Sequence, residues 1–376
     1  MKLLHIVPSY KPAYIYGGPV ESIARLCEGL VQHGEEVTVY TTTANGRAEL
    51  DVQPGKAYDV DGVKVFYFKR QTKDPLHFSY TLLKRLYKDC RGFDAVHIHS
   101  WWNIPTMLGA AICKMRKVRT VFSPRGMLSD YILNNSNSKL KQWAHTTGGL
   151  SLLKYMVLHA TSSAELEECQ RIIPGWKAKL VSNLIWLPEL HRQSTGNEVF
   201  TLLFLSRIHP KKGIELLMDA VAMMNRDVRL IIAGSGEEQY MHALKKKAAA
   251  LGIAGRIEWP GWLNRSEKFK ALMEADLFVL TSYNENFANV VIEALHAGTP
   301  VLLSEGVGLR KFVEENDLGW ITKPEPAAIK KNLENAIADA EKRARISAAA
   351  PCIVQKHFSP DTLIPQYQYL YAAFAE

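Results

Sequence analysis

Cysteine is scarce in this chain and long apolar runs are missing. Its five cysteines (Cys27, Cys90, Cys113, Cys169, Cys352) are odd in number, scattered over 376 residues, and never form a C-x-x-C pair. That spacing disfavours a disulfide framework and predicts reduced thiols in a cytoplasmic protein. No apolar run approaches the ~18 residues of a membrane span. The opening MKLLHIVPSYKP has too short an apolar stretch for a signal peptide and reads as a first buried strand. Glycine (24) and proline (17) are ordinary, which excludes collagen-like and low-complexity chains. No G-x-G-x-x-G follows the first strand, which disfavours a hydride-transferring dinucleotide enzyme. Acidic residues are in deficit, 38 against 46 Lys plus Arg, for a net charge of +8.

What is present is a repeated alternation of strand, turn and helix. Short apolar strands are expected at Leu3–Val7, Val37–Thr42, Val63–Phe68, Ala95–His99 and Thr120–Ser123, with helices at Pro19–His33, Tyr80–Lys88 and Ile104–Met115. The polar stretch His191–Glu198 reads as a linker. A second round follows, with strands at Phe200–Leu205, Arg229–Ala233, Arg256–Trp259, Leu277–Thr281 and Val301–Ser304. Its helices are expected at Gly213–Met224, Glu237–Leu251, Arg265–Glu274, Asn289–Ala297 and Pro326–Ala349. Such alternation predicts an α/β chain with two Rossmann-like domains, residues 1–190 and 191–358, facing across a cleft. Residues 359–376 form a terminal amphipathic helix that packs on the first domain in this scheme.

The strongest motif is SYNENFANVVIEALHAGTPV, residues 282–301. A strand ends at Ser282, Glu285 follows in the loop, and Glu293 rides a helix among apolar neighbours. Ligands gather at strand carboxyl ends in open α/β sheets, which favours function over a loop charge and a solvated helix residue. Eight residues of helix rise about 12 Å, too far for the two carboxyls to straddle one bond as in a glycosidase. Ser206–Glu215 (SRIHPKKGIE) places Arg207 and Lys212 before a helix start, a recipe for a phosphate. Gly17-Gly18-Pro19 permits close backbone approach to a ligand. Gly234-Ser235-Gly236 is a second glycine turn, equally explained as a tight strand-to-helix connection.

Three further features are weaker. In His97-Ile98-His99-Ser100-Trp101-Trp102, alternation puts both histidines on one strand face. A polar strand end facing the cleft is favoured over a metal pair, since no Cys lies close in sequence and Asp94 is on the far side. Arg125, in Ser123-Pro124-Arg125-Gly126, suits an anion, a sugar or a structural turn. Asp59-Val60-Asp61 mimics a metal-holding D-x-D but reads as a turn at Asp61-Gly62.

Taken in order along nearly the whole chain, these motifs resemble the retaining glycosyltransferases of family 4, which have the GT-B fold. The most specific match is E-x7-E at Glu285 and Glu293, supported by Arg207, Lys212 and Gly213 and by the loop at Gly17 and Gly18. The resemblance implies a nucleotide-diphosphate sugar donor held mainly by the second domain. Glu293 would take the ribose hydroxyls and Glu285 the sugar hydroxyls. Backbone around Asn286, Phe287, Ala288, Asn289 and Val290 would meet the sugar or phosphate, with Gly234 nearby. Arg207 and Lys212 would hold the diphosphate, while Gly18 would let the first domain close onto it. Glu285, Arg207 and Lys212 are thus the catalytic candidates. His99, Trp101 and Arg125 are candidates for the acceptor or sugar side. Two positions depart from the pattern: Arg125 stands where many members carry His, and Asn286 where Gly is common.

The activity implied is sugar transfer to a hydroxyl with retention, in surface polysaccharide or lipid-linked glycan synthesis. No cofactor and no metal are expected, because basic residues would neutralise the leaving diphosphate. The rivals are a nucleotide-sugar epimerase and a non-catalytic sugar-nucleotide binding protein. The charge adds one expectation. Residues 1–190 hold 24 Lys plus Arg against 16 Asp plus Glu, whereas residues 191–376 hold 22 of each. The whole excess therefore lies on the first domain, through clusters such as Lys69-Arg70, Lys84-Arg85 and Lys114–Arg119. A solvated surface explains it. So does peripheral contact with an anionic membrane at the inner face of the cell, which would suit a glycan or lipid-linked acceptor. Nucleic acid is not an expected partner.

Overall fold

A computed structural model describes residues 1–129, 149–190 and 198–372. The chain forms two compact units, Met1–Leu184 together with Pro360–Glu376, and Ile185–Ser359. The break falls six residues before the expected position at 190, and most of the expected linker, residues 191–197, lies outside the described residues.

The first unit holds an eight-stranded sheet. In chain order its strands are β1 (Lys2–Ile6), β2 (Glu36–Thr42), then a small hairpin β3 (Ala44–Asn45) and β4 (Ala48–Glu49) outside the sheet, β5 (Ala57–Val60), β6 (Val63–Phe68), β7 (Ala95–His99), β8 (Thr120–Ser123), β9 (Val157–Ala160) and β10 (Ala178–Leu180). Their spatial order is β10-β9-β8-β7-β1-β2-β6-β5, parallel except for the edge strand β5. The order reverses between β1 and β7, a topological switch point. β5 carries the D-x-D decoy. Asp61 and Gly62 both take positive φ, 54° and 82°, as a two-residue hairpin needs, and Asp59 accepts from the Gly62 N–H at 3.0 Å. The apolar layer on one face joins Leu4, Ile6, Val96, Ile98 and Phe122 to Leu82, Leu86 and Cys113 of the flanking helices Tyr80–Asp89 and Ile104–Arg116.

The second unit holds six parallel strands: β11 (Phe200–Leu205), β12 (Val228–Ala233), β13 (Ile257–Gly261), β14 (Leu277–Leu280), β15 (Val301–Ser304) and β16 (Gly319–Thr322). Their order is β13-β12-β11-β14-β15-β16, so the reversal falls between β11 and β14. Near-continuous apolar strands such as Leu277–Leu280 are buried throughout, as a sheet covered on both faces requires. The single helix expected over Pro326–Ala349 is two helices, Pro326–Ala338 and Ala340–Phe358. Asp339 breaks it, because its side chain caps the second helix by accepting from the Lys342 N–H at 2.9 Å.

The closing helix, Pro360–Ala372, belongs to the first unit. Leu363, Ile364, Tyr367, Leu370 and Tyr371 are all buried there. Gly29 on helix Gly18–Gln32 makes room for it, since a Cβ at that position would lie 2.9 Å from the Ile364 side chain.

Candidate active site

The second unit brings its two strongest sequence motifs to one place. Ser206–Gly213 follows β11 and Tyr283–Ala288 follows β14, the two strands on either side of the switch point. Two adjacent strands whose connections leave in opposite directions open a crevice at their carboxyl ends. There the Lys212 ammonium donates to the Glu285 carboxylate. The loops are also stitched together through backbone, Tyr283 N–H to Lys211 C=O at 3.0 Å, and Thr281 Oγ1 to Gly213 C=O at 2.9 Å.

Glycine is required where these loops cross. Gly213 sits at φ 62°, and a Cβ there would lie 2.3 Å from the Thr281 carbonyl oxygen. Glu285 is pinned on its other side: its N–H donates to Gly306 C=O and its own C=O accepts from Gly308 N–H, both at 2.8 Å. Gly234 was a candidate for donor contact. Its missing side chain is demanded by packing, since a Cβ would lie 1.8 Å from the Ser206 carbonyl.

Positive charge collects beside this pair. Arg207 is exposed, and His209 is held below its ordinary value first by burial and then by Arg207 and Lys212. Ala288 ends the loop in the left-handed region, φ 64°, and starts helix Asn289–His296. Phe287 is buried, edge-to-face with Phe358 at 6.2 Å, so its side chain anchors the loop instead of facing a ligand. Asn286, Asn289 and Val290 are partly exposed around it.

Glu293 lies one turn into that helix and is buried, as are its sequence neighbours Val291, Ile292, Ala294 and Leu295. Its Oε1 accepts from the Lys268 ammonium at 2.5 Å. The two carboxylates of E-x7-E thus meet two different lysines. Sequence reasoning missed Lys268, whose only signal was its place one turn into the helix before β14. A cavity of about 250 Å³ lies at the other end of helix Asn289–His296, among Leu187, Pro188, His296 and Pro351. None of the candidate donor residues lines it.

The first unit corrects several expectations. Trp101 follows the end of β7 but is fully buried, edge-to-face with Phe122 at 5.3 Å, and offers no face to an acceptor or sugar. His97 and His99 do share a face, with ring centroids 3.9 Å apart, but both are fully buried. His97 bonds the Tyr371 hydroxyl at 2.8 Å and Ser123 Oγ at 2.7 Å. Ser123 Oγ in turn meets His159 Nδ1 at 2.6 Å, and His5 Nδ1 meets His99 Nε2 at 3.0 Å. His5 and His159 had no local signal; parallel register puts His5 opposite His97. Burial above all drives all four histidines down, His5 and His159 to about 3.

Nitrogens of His5, His97 and His99 lie within 4.8 Å of one another. As metal ligands they fit poorly. Both His97 nitrogens already have partners, and the Arg125 guanidinium sits 3.4 Å from His99 Nδ1. Arg125 takes φ 56° at the end of β8 and donates to Asn183 Oδ1 at 2.6 Å and Ser22 Oγ at 3.1 Å. Gly17 is at φ 75°, just before helix Gly18–Gln32, with open space where a Cβ would be; Gly18 opens that helix and is exposed.

The basic clusters divide. Arg70 is buried and paired with Glu49 and Asp74, and Arg119 donates to the Tyr371 carbonyl at 2.8 Å. Lys84 and Lys88 are exposed, as are Tyr80 and Tyr87 on the same helix, and Lys117, Leu108 and Met115 are exposed as well. No helix among the described residues is long and apolar enough to cross a membrane.

Comparison with known proteins agrees along the chain. Residues 16–185 match the model of "Glycosyltransferase Family 4" and residues 188–351 that of "Glycosyl transferases group 1". An uncharacterized glycosyltransferase of Methanocaldococcus jannaschii is 26% identical over 373 residues, 90% of either chain. The lipopolysaccharide core biosynthesis glycosyltransferase LpsE of Rhizobium meliloti is 27% identical over 53% of this chain and 59% of its own. Among solved structures, Anabaena HepE in complex with UDP and glucose aligns over the whole of both chains, with a TM-score of 0.77 at 19% identity. WaaG, a glycosyltransferase involved in lipopolysaccharide biosynthesis, aligns over 98% of this chain and 99% of its own, with a TM-score of 0.70 at 14% identity.

Proposed function

Because the chain belongs to glycosyltransferase family 4 and has the GT-B fold, we propose that it moves a sugar from a nucleotide-diphosphate donor to a hydroxyl acceptor with retention at the anomeric carbon. The Lys212–Glu285 ion pair at the β11/β14 switch point, with Arg207 beside it, carries this reading. In the reaction the bond from the anomeric carbon to the phosphate oxygen breaks and a bond to the acceptor oxygen forms. The acceptor proton passes to the leaving diphosphate, so no side-chain base takes part. Negative charge grows on that diphosphate, and Lys212 and Arg207 stabilise it, at roughly 3–4 kcal/mol for a key preorganised group. Glu285 accepts from the sugar hydroxyls and Glu293 from the ribose diol. Fixed cations at the diphosphate remove the need for a metal ion.

The acceptor side of the proposal is a glycan or lipid-linked hydroxyl at the cytoplasmic face of a membrane. The exposed basic and aromatic surface of the first unit supports it. UDP- and GDP-sugars, screened by thermal shift and then by nucleotide release with acceptor, test the activity. A ligand at about 100 times its dissociation constant adds about 2.7 kcal/mol, which a melting curve resolves. Unchanged turnover in both Arg207→Ala and Glu285→Ala sinks the assignment. Conversion of donor without acceptor identifies an epimerase, and binding without nucleotide release a non-catalytic protein.

A further inference from the structure

Lys268 reaches Glu293 from a different helix, twenty-five residues earlier in the chain. Its helix, Arg265–Glu274, is fixed at its start by a capping box. Asn264 Oδ1 accepts from Glu267 N–H at 3.0 Å, and Glu267 Oε2 accepts from Asn264 N–H at 2.8 Å. The next residue, Phe269, is buried edge-to-face with Trp186 at 5.6 Å. Lys268 therefore projects from a turn held at both ends. Its side chain is 14% exposed and that of Glu293 7%.

A charge-bearing pair so far from water needs good geometry to persist, and hydrophobic residues of equal volume often serve stability as well. A carboxylate has about four lone-pair positions, and one ammonium hydrogen bond fills one of them. A fixed donor on one oxygen thus narrows the orientations in which the carboxylate can meet two vicinal hydroxyls. Specificity of this kind depends on orientation within about 10–20°.

We propose that Lys268 is a positioning residue for the ribose of the donor: it orients the Glu293 carboxylate to accept the 2′ and 3′ hydroxyls and so makes the site select ribonucleotides over deoxyribonucleotides. This rests on the assignment of Glu293 to the ribose. A purely structural Lys268 would move stability and weaken ribo- and deoxyribonucleotides alike. A positioning Lys268 changes their ratio.

The test is calorimetric binding of UDP, GDP and their 2′-deoxy forms to the full chain. For the preferred base, the wild type binds the ribo form at least ten-fold more tightly. Lys268→Met and Glu293→Gln each bring that ratio to within about two-fold of unity. Removing one member of a buried pair is destabilising, so Lys268→Arg, which keeps the charge, carries the test in parallel with an expected ratio near three. A wild-type ratio in Lys268→Arg, or in a folded Lys268→Met, overturns the proposal while loss in Glu293→Gln leaves the ribose assignment standing. A wild-type ratio in Glu293→Gln overturns both.

Discussion

Lys212 and Glu285 are seventy-three residues apart in sequence and meet as an ion pair across the ends of β11 and β14. Each therefore depends on the other for its place at the switch point. Lys212→Met and Glu285→Gln are each expected to lower kcat by about 10²–10³-fold, the usual loss for a key electrostatic group. Groups acting as a unit are strongly non-additive, so the double variant should be little worse than the poorer single one. Turnover at saturating donor measures this; two independent, multiplying losses would show that the pair does not act together.

Gly213 is where a backbone change should reach the chemistry. A Cβ at that position would lie 2.3 Å from the Thr281 carbonyl, and φ 62° suits glycine. Gly213→Ala should cost more than about 1 kcal/mol of stability and displace Lys212, the adjoining residue. Thermal melting and turnover should fall together. Retained turnover with an unchanged melting point would mean that the loop accommodates the methyl group without moving Lys212.

The motifs around the proposed donor site are legible because they are local. Arg207, Lys212 and Glu285 each stand just past an apolar strand, and strand ends can be read from composition. Glu293 was legible as a carboxylate in an apolar run. Lys268 was not, because a lysine in a helix with Glu267 and Lys270 beside it looks solvated until the tertiary fold buries it. The histidine network was illegible for a related reason. His5, His97 and His159 come from three strands, and only parallel register lines them up. Trp101 follows His99 and Ser100 at a strand end, where sequence alone suggests exposure; Phe122 from the next strand covers it. The break at Asp339 depends on one cap that competes with an otherwise continuous helical pattern.

The buried histidines should make the protein acid-sensitive. An unfolded histidine takes up a proton below about pH 6.5. In the fold, burial opposes this, with Arg125 adding to the effect on His5, His99 and His159, and His99 and His5 on His97. The unfolded state therefore binds more protons between pH 6.5 and about 3, the range set by His5 and His159, so stability drops as pH falls. Each histidine contributes about 1.4 kcal/mol per pH unit at most. Carboxylates held low by cations, such as Glu49 and Asp317, lose stability only at more acidic pH. The melting temperature should thus be lower at pH 5.5 than at pH 7.5 by several degrees. An equal value at both would contradict the neutral network.

Metal removal should leave turnover intact. A divalent ion and a guanidinium about 5 Å apart repel by about 7 kcal/mol at an effective dielectric constant of ~20. Arg125, at 3.4 Å from His99, thus opposes an ion among His5, His97 and His99. In the proposed donor site, Lys212 and Arg207 would supply the charge that a metal ion otherwise brings. Chelation with EDTA is expected to change neither activity nor melting temperature. Loss of activity on chelation, restored by zinc or manganese, would refute this.

The exposed basic and aromatic surface gives a membrane prediction. Lys84 and Lys88 lie on helix Tyr80–Asp89, where Tyr80 is 60% and Tyr87 47% exposed. Arg70 and Arg119 are occupied inside the unit and add nothing to this surface. Each basic residue near an anionic leaflet is worth about 1 kcal/mol, and the attraction is screened within roughly a Debye length. Vesicles containing phosphatidylglycerol should therefore sediment the protein at 0.05 M salt (roughly a 14 Å Debye length) and release it at about 0.5 M. Reversing both charges, Lys84→Glu with Lys88→Glu, should weaken binding by at least about ten-fold, from lost attraction and added repulsion. Activity on a soluble acceptor should stay as it was, since neither residue is among the candidates for the donor or the acceptor. Binding that ignores salt, or is equal on neutral vesicles, would show that the basic surface has another use.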